Sequence, residues 1–285
     1  MDLDMLPSPD ELPAASGNVE RLLELFRLHM ESLPPFFASY HIKESHVTEK
    51  TFRSFLQTID SDENLSKWVN EQASFNYYPD LSLLSWISRT ELQTLVADQF
   101  AALVDQKIHD IQARHPRTRL AELVKECDPE DVIDTKNDGQ IHPSKQWRID
   151  GCRNPSVVLD VCAYNSPAAS EISTRAAKLL DKKRGEIGTY VSIELDASSP
   201  ARFGFIRVWR FDRNRARRTV VGRRFLNKNG TSPIGGVALR LDRVFRPAQR
   251  EGVQVHEIDD AVLKERVFVG YQELADMVKK AQEHC

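Results

Sequence analysis

No run of eighteen apolar residues occurs anywhere in these 285 residues, so the sequence offers no candidate membrane helix. The first residues, MDLDMLPSPDELPAASGN, lack the basic and apolar regions of a secretory signal; acidic and rich in proline, residues 1–18 are expected to form a disordered leader. Cysteine is sparse. Cys127, Cys152, Cys162 and Cys285 show no CxxC spacing, which excludes the usual zinc-ribbon and dithiol motifs and reads as reduced thiols of an intracellular protein, nuclear or cytoplasmic. A zinc site built from Cys152, Cys162 and His142 is the one weak alternative they offer. There is no glycine-rich phosphate loop, no serine elbow and no cofactor motif, which speaks against a small-molecule enzyme on an α/β scaffold. No internal repeat is visible, and a net charge of −3 points to no partner.

What is present is a change of period. Residues 19–30 space Val19, Leu22, Leu23, Phe26 and Met30 as one helix face, ended by Pro34-Pro35. A second helix is expected from Thr48, as N-cap, to Ile59, and residues 64–73 extend the helical set. Asn76-Tyr-Tyr-Pro-Asp80 reads as a loop. A long helix follows to about Ala113, with Ser88 and Glu91 as its capping box.

Short strands separated by turn residues then fill 131–165, and Ser166-Pro167 opens another helix. Thr189–Leu195 is a strand. Two strands, Phe203 to Phe211 and Arg217 to Phe225, make a hairpin, Val237–Leu241 is a further strand, and a helix runs from about Tyr271 to Glu283. This order gives an α+β fold, or α/β with a mixed sheet.

Two acids stand out. Asp138 lies in the turn Asn137-Asp138-Gly139. Some twenty residues on, Asp160 sits inside the apolar run Pro155-Ser-Val-Val-Leu-Asp160-Val. A lone carboxylate among Val and Leu is costly and needs a partner; a second carboxylate sharing a divalent cation is one such partner. The alternative for Asp138 is an ordinary turn residue.

Taken with Tyr190-Val-Ser-Ile-Glu194, Ile206-Arg-Val-Trp-Arg210 and Val267-Phe-Val-Gly-Tyr-Gln-Glu-Leu-Ala275, these segments resemble the PD-(D/E)XK nuclease-like, or restriction-endonuclease-like, superfamily. Within it they resemble a group of largely uncharacterised fungal proteins whose pattern is Pro-Asp, an interval, then Pro-x-hydrophobic-hydrophobic-Glu-Val, a helix, a hydrophobic strand and a strand ending near Trp. The resemblance covers residues 88–285, the nuclease-like domain, and leaves 19–87 as a helical N-terminal region. It departs from the pattern at Asn137 for Pro, Asp160 for Glu, and Cys162 where the family lysine belongs.

The resemblance implies that Asp138, Asp160 and the backbone carbonyl of Cys162 hold Mg²⁺ or Mn²⁺, which acidifies a water for phosphodiester hydrolysis. It also implies that a lysine from the following helix, Lys178, supports the attacking hydroxide. Lys182, Lys183 and Arg175 are further cations there. The departures leave a second expectation: an inactive member that keeps the fold as a nucleic-acid or protein-binding module. Arg207, Arg210, Arg213, Arg215, Arg217, Arg218, Arg223 and Arg224 crowd one hairpin, which suits phosphate contacts, with DNA ahead of RNA as partner. Alternatively, they guard a solvated sheet edge.

Overall fold

The computed structural model describes residues 19–32, 41–127, 133–134, 139–164, 167–180, 187–196, 203–212, 217–253 and 258–284. In chain order the elements are α1 (Val19–Ser32), β1 (His41–Glu44), α2 (Glu49–Ser61), α3 (Glu63–Gln72), β2 (Ala73–Tyr78), β3 (Leu83–Ser88), α4 (Glu91–Arg114) and α5 (Leu120–Leu123). Next come β4 (Val124–Glu126), β5 (Ile133–Asp134), β6 (Gln140–Ile141), β7 (Lys145–Ile149), β8 (Pro155–Ala163), α6 (Pro167–Leu179) and β9 (Thr189–Leu195). The chain ends with β10 (Gly204–Asp212), β11 (Arg217–Leu226), β12 (Gly236–Arg240), α7 (Leu241–Val244), α8 (Arg246–Glu251), α9 (Asp260–Lys264), β13 (Arg266–Gly270) and α10 (Tyr271–Gln282). The fold is α+β with mixed sheets, as the change of period implied. Among the described residues no helix is long and apolar enough to cross a membrane.

The larger sheet has six strands in the order β11-β10-β9-β8-β7-β4. All its pairs are antiparallel except β8 with β9, which run parallel because α6 carries the chain back between them. All nine residues of β8 and all seven of β9 are buried, as suits strands covered on both faces. Val157, Leu159 and Val161 pack on one side with α4, α10 and the β12–β13 ribbon, through Phe100, Val104, Leu274, Val237 and Val267. On the other side, Val158, Cys162 and Tyr190 meet Ile172, Ala176 and Leu179 of α6.

The second sheet, ordered β1-β3-β2-β6-β5, corrects two expectations. Asn76–Tyr78 is strand, not loop, and the segment 19–87 is not purely helical. Phe75 and Tyr77 face the helices α1–α3 together with Leu84 and Trp86, while Asn76 and Ser85, direct partners across β2 and β3, face the other way. The first cap is also corrected. Ser88 is held in β3 opposite Ala73, so α4 starts later, with Thr90 as N-cap and Gln93 closing the box. Thr48 caps α2 as expected, accepting from the Thr51 N–H.

Gly188, at the head of β9, donates to the Ser156 carbonyl at 2.9 Å. A Cβ there would collide with the Arg243 backbone carbonyl. Gly188→Ala is therefore expected to cost about 1–3 kcal/mol, read as a lower denaturant midpoint at unchanged m.

Candidate functional site

The alternation of β8 points Asp160 away from the α4 side, toward α6 and the second sheet. The residue is 3 % exposed. Three donors fill it: the Arg175 guanidinium reaches Oδ2 at 2.7 Å, the Tyr190 hydroxyl donates to the same oxygen, and the Ser144 N–H donates to Oδ1 at 3.2 Å. Arg175 also donates to Asn76 Oδ1 at 2.7 Å and to the His142 carbonyl at 3.1 Å. One arginine thus ties β8, β2 and the segment before β7 together.

Local sequence explains this placement. On α6 the apolar face is Ile172, Ala176 and Leu179, and Glu171 and Arg175 lie on the same buried stripe. Glu171 is satisfied across the gap by Ser85 Oγ at 2.9 Å and Lys43 Nζ at 3.4 Å. The N-terminal sheet therefore covers the acid.

The electrostatics follow the geometry. Burial opposes the charge of Arg175, but Asp160 and the surrounding Tyr190, Tyr78 and Glu171 outweigh it, and its pKa stands above the ordinary arginine value. Burial, then the charge of Asp160, holds the Tyr190 phenol neutral. The Cys162 thiol is pushed up to about 12 by burial first and Asp160 second. Burial, reinforced by Arg89 and Arg175, takes His142 down to about 3.

Lys178 goes elsewhere. It donates to Asp80 at 2.7 Å and lies over the Tyr78 ring, 4.4 Å from its centroid, rather than joining Asp160. The cation that α6 supplies to the acid is Arg175. Cys162 sits beside Glu194 in the parallel ladder, and buried Glu194 pairs with Arg207. Asp138, Arg213, Arg215, Lys182 and Lys183 fall outside the described residues, as does the 1–18 leader. Arg217 lies in β11 opposite Asp212, and Arg218 opposite Phe211. Among the described residues no three of His, Cys, Asp and Glu come together as a metal site, and the Cys152–Cys162–His142 alternative is not assembled there.

The residue beside Asp160 on the neighbouring segment is Ser144, preceded by Pro143. Ser144 donates to the Leu159 carbonyl at 2.9 Å, and its hydroxyl accepts from the Val161 N–H at 3.0 Å. Nothing in the sequence signals that this Pro-Ser pair, Tyr190 or Asn76 would meet at Asp160. The available signal was Arg175 itself, a charge in the apolar stripe of its helix, opposite an acid in an apolar strand.

The described surroundings of Asp160 do not fit a divalent cation. Both carboxylate oxygens are engaged by donors, and the adjacent side chains are a guanidinium, a phenol, a neutral thiol and a hydroxyl. A hard cation needs further carboxylate or carbonyl oxygens where the guanidinium and the thiol stand. Neither a protein-family model nor a curated protein matches this chain.

Proposed function

We propose that this chain is a nucleic-acid-binding module on a nuclease-like fold, without hydrolytic activity. The observation that carries the reading is the neutralised acid. Asp160 occupies the strand position that the resemblance assigns to a metal ligand, yet its charge is met by Arg175, and both of its oxygens accept hydrogen bonds, from Tyr190 and the Ser144 N–H as well. The order around it supports a restriction-endonuclease-like core: the acid-bearing strand β8, the crossover helix α6, the hydrophobic strand β9, and β10 with Trp209 near its end. Against the Pro-Asp of that pattern, the doublet beside Asp160 is Pro143-Ser144.

The binding half of the reading rests on the basic hairpin. β11 is the edge strand, and Arg223 and Arg224 are exposed on it. Arg224 covers the Phe203 ring at 4.6 Å. Arg207 is committed to Glu194, so phosphate contacts fall to the outer arginines.

The test is incubation of the purified protein with plasmid, single-stranded DNA and RNA, with Mg²⁺, Mn²⁺ or a chelator, alongside binding at several salt concentrations. Binding without cleavage is expected, indifferent to the chelator. If about four arginines meet phosphates, log K falls against log salt with a slope of roughly −3.6. Titration with Mg²⁺ in a calorimeter should give no binding heat. Cleavage that the chelator stops would overturn the reading and return the metal-dependent nuclease, with Asp138 as its second acid.

A further inference from the structure

The β12–β13 ribbon has one face in the core and one in solvent. Val237, Leu239, Val267 and Val269 are buried; Arg240, Arg266 and Phe268 are exposed on the opposite side, with Ala238 between them. Three features of this ribbon bear on what its outer face can hold.

The first is a cross-strand pair of like charges. Arg240 and Arg266 are direct partners in the ladder, an arrangement that is destabilising unless something negative lies against it. Asp242 binds Arg240 through two contacts of 2.9 Å, and among the described residues Arg266 has no ion pair.

The second is a third arginine arriving from the main sheet. Arg210, near the end of β10, donates to the carbonyl of Ala238 in the middle of β12. Burial, then the positive charges of Arg243 and Arg240, lower its pKa from the ordinary arginine value; Asp242 opposes this and Arg266 adds to it. Arg210, Arg240, Arg243 and Arg266 thus share one neighbourhood with a single acid acting on Arg210.

The third is an aromatic ring with an open side. Phe268 is 52 % exposed. Its ring lies over Gly236, where a Cβ would come within 2.6 Å of Cζ, so a side chain there would lift the ring away. Ala238, its direct partner in the ladder, is also small. The ring is thereby supported on one side and left to solvent on the other.

We infer that the outer face of β12–β13 binds single-stranded nucleic acid, with one base stacked on Phe268 and a flanking phosphate held by Arg266. This deepens the nucleic-acid reading above and rests on it. An open aromatic beside an unpaired cation is an arrangement that holds unpaired bases without sequence preference, because every base has a π-face. A duplex keeps its bases stacked and closed, and has no use for Phe268. An acidic peptide would use the arginines and leave the ring idle, so the ring favours the nucleic acid.

The experiment compares a thymidine oligonucleotide with a duplex of equal length, by fluorescence anisotropy, for wild type, Phe268→Ala, Phe268→Trp and Arg266→Ala. Phe268 and Arg266 are both exposed, and unchanged melting curves will show that the fold survives. Phe268→Ala should weaken the single strand roughly tenfold, leave the duplex within about twofold, and be rescued by Phe268→Trp. Arg266→Ala should weaken binding and reduce the salt slope by about one. Wild-type binding that Phe268→Ala leaves intact, or that polyglutamate displaces equally well from wild type and Phe268→Ala, would overturn the stacking site while sparing the broader reading. A wild-type protein that binds neither nucleic acid would end both.

Discussion

Arg175→Met should destabilise the protein by about 3–5 kcal/mol at neutral pH, the largest single effect expected from this structure. The substitution keeps the length of the side chain but removes the charge that faces Asp160 at 2.7 Å inside a closed site. Tyr190 and the Ser144 N–H remain, but neither carries a charge. The Asn76 side-chain oxygen and the His142 carbonyl lose a donor as well, so the N-terminal sheet loosens from α6 along with β8. Arg175→Met with Asp160→Leu should recover the part of the loss due to the unpaired charge, because a buried pair replaced by apolar side chains is close to neutral, while Asn76, the His142 carbonyl and the Tyr190 hydroxyl stay without these partners.

Chemical denaturation of the three proteins at neutral pH checks all of this. The same variant bears on catalysis. If Mg²⁺ or Mn²⁺ stabilised Arg175→Met but not wild type, the freed carboxylate would be binding metal, and a latent nuclease site would be the better account.

The second large effect is a loss of stability in mild acid, centred on His142. Its ring packs at a tilt against Phe75, 3.8 Å between centroids, and burial together with Arg89 and Arg175 keeps it neutral down to about pH 3. In the unfolded chain it takes a proton near 6.5. The folded value lies below the unfolded one, so the contribution is whole above pH 6.5 and drains away as pH falls toward 3. Between neutrality and pH 5 the loss should be about 2 kcal/mol from this residue alone. His142→Gln cannot be protonated and should remove that part of the slope, whatever it does to stability at pH 7. Equal slopes for wild type and His142→Gln in urea titrations would show that the imidazole is not held neutral.

The sequence located the acid and its need for a partner correctly, but not the partner. Arg175 and Lys178 are both cations on α6, three residues apart, and helical spacing alone leaves either free to face the sheet. The apolar positions Ile172, Ala176 and Leu179 set which stripe goes inward, and Arg175 lies on it while Lys178 turns to Asp80. The misread strand at 73–78 has a similar origin. Asn76 and the following Pro79-Asp80 carry turn chemistry, and only pairing with Ser85 on β3 and Ile141 on β6 makes a buried asparagine tolerable in a strand.

By itself, the sequence determined the elements whose residues carry their own period or punctuation: β9 from Thr189 to Leu195, the β10–β11 hairpin, the closing helix α10, and the burial of Asp160. These are local properties, set by spacing and by the cost of water-excluded charge. The tertiary structure alone decided which groups answer that charge. Arg175, Tyr190, Ser144 and Asn76 come from four separate stretches of chain, and a buried hydrogen-bond network is specified by where those stretches pack rather than by any one of them.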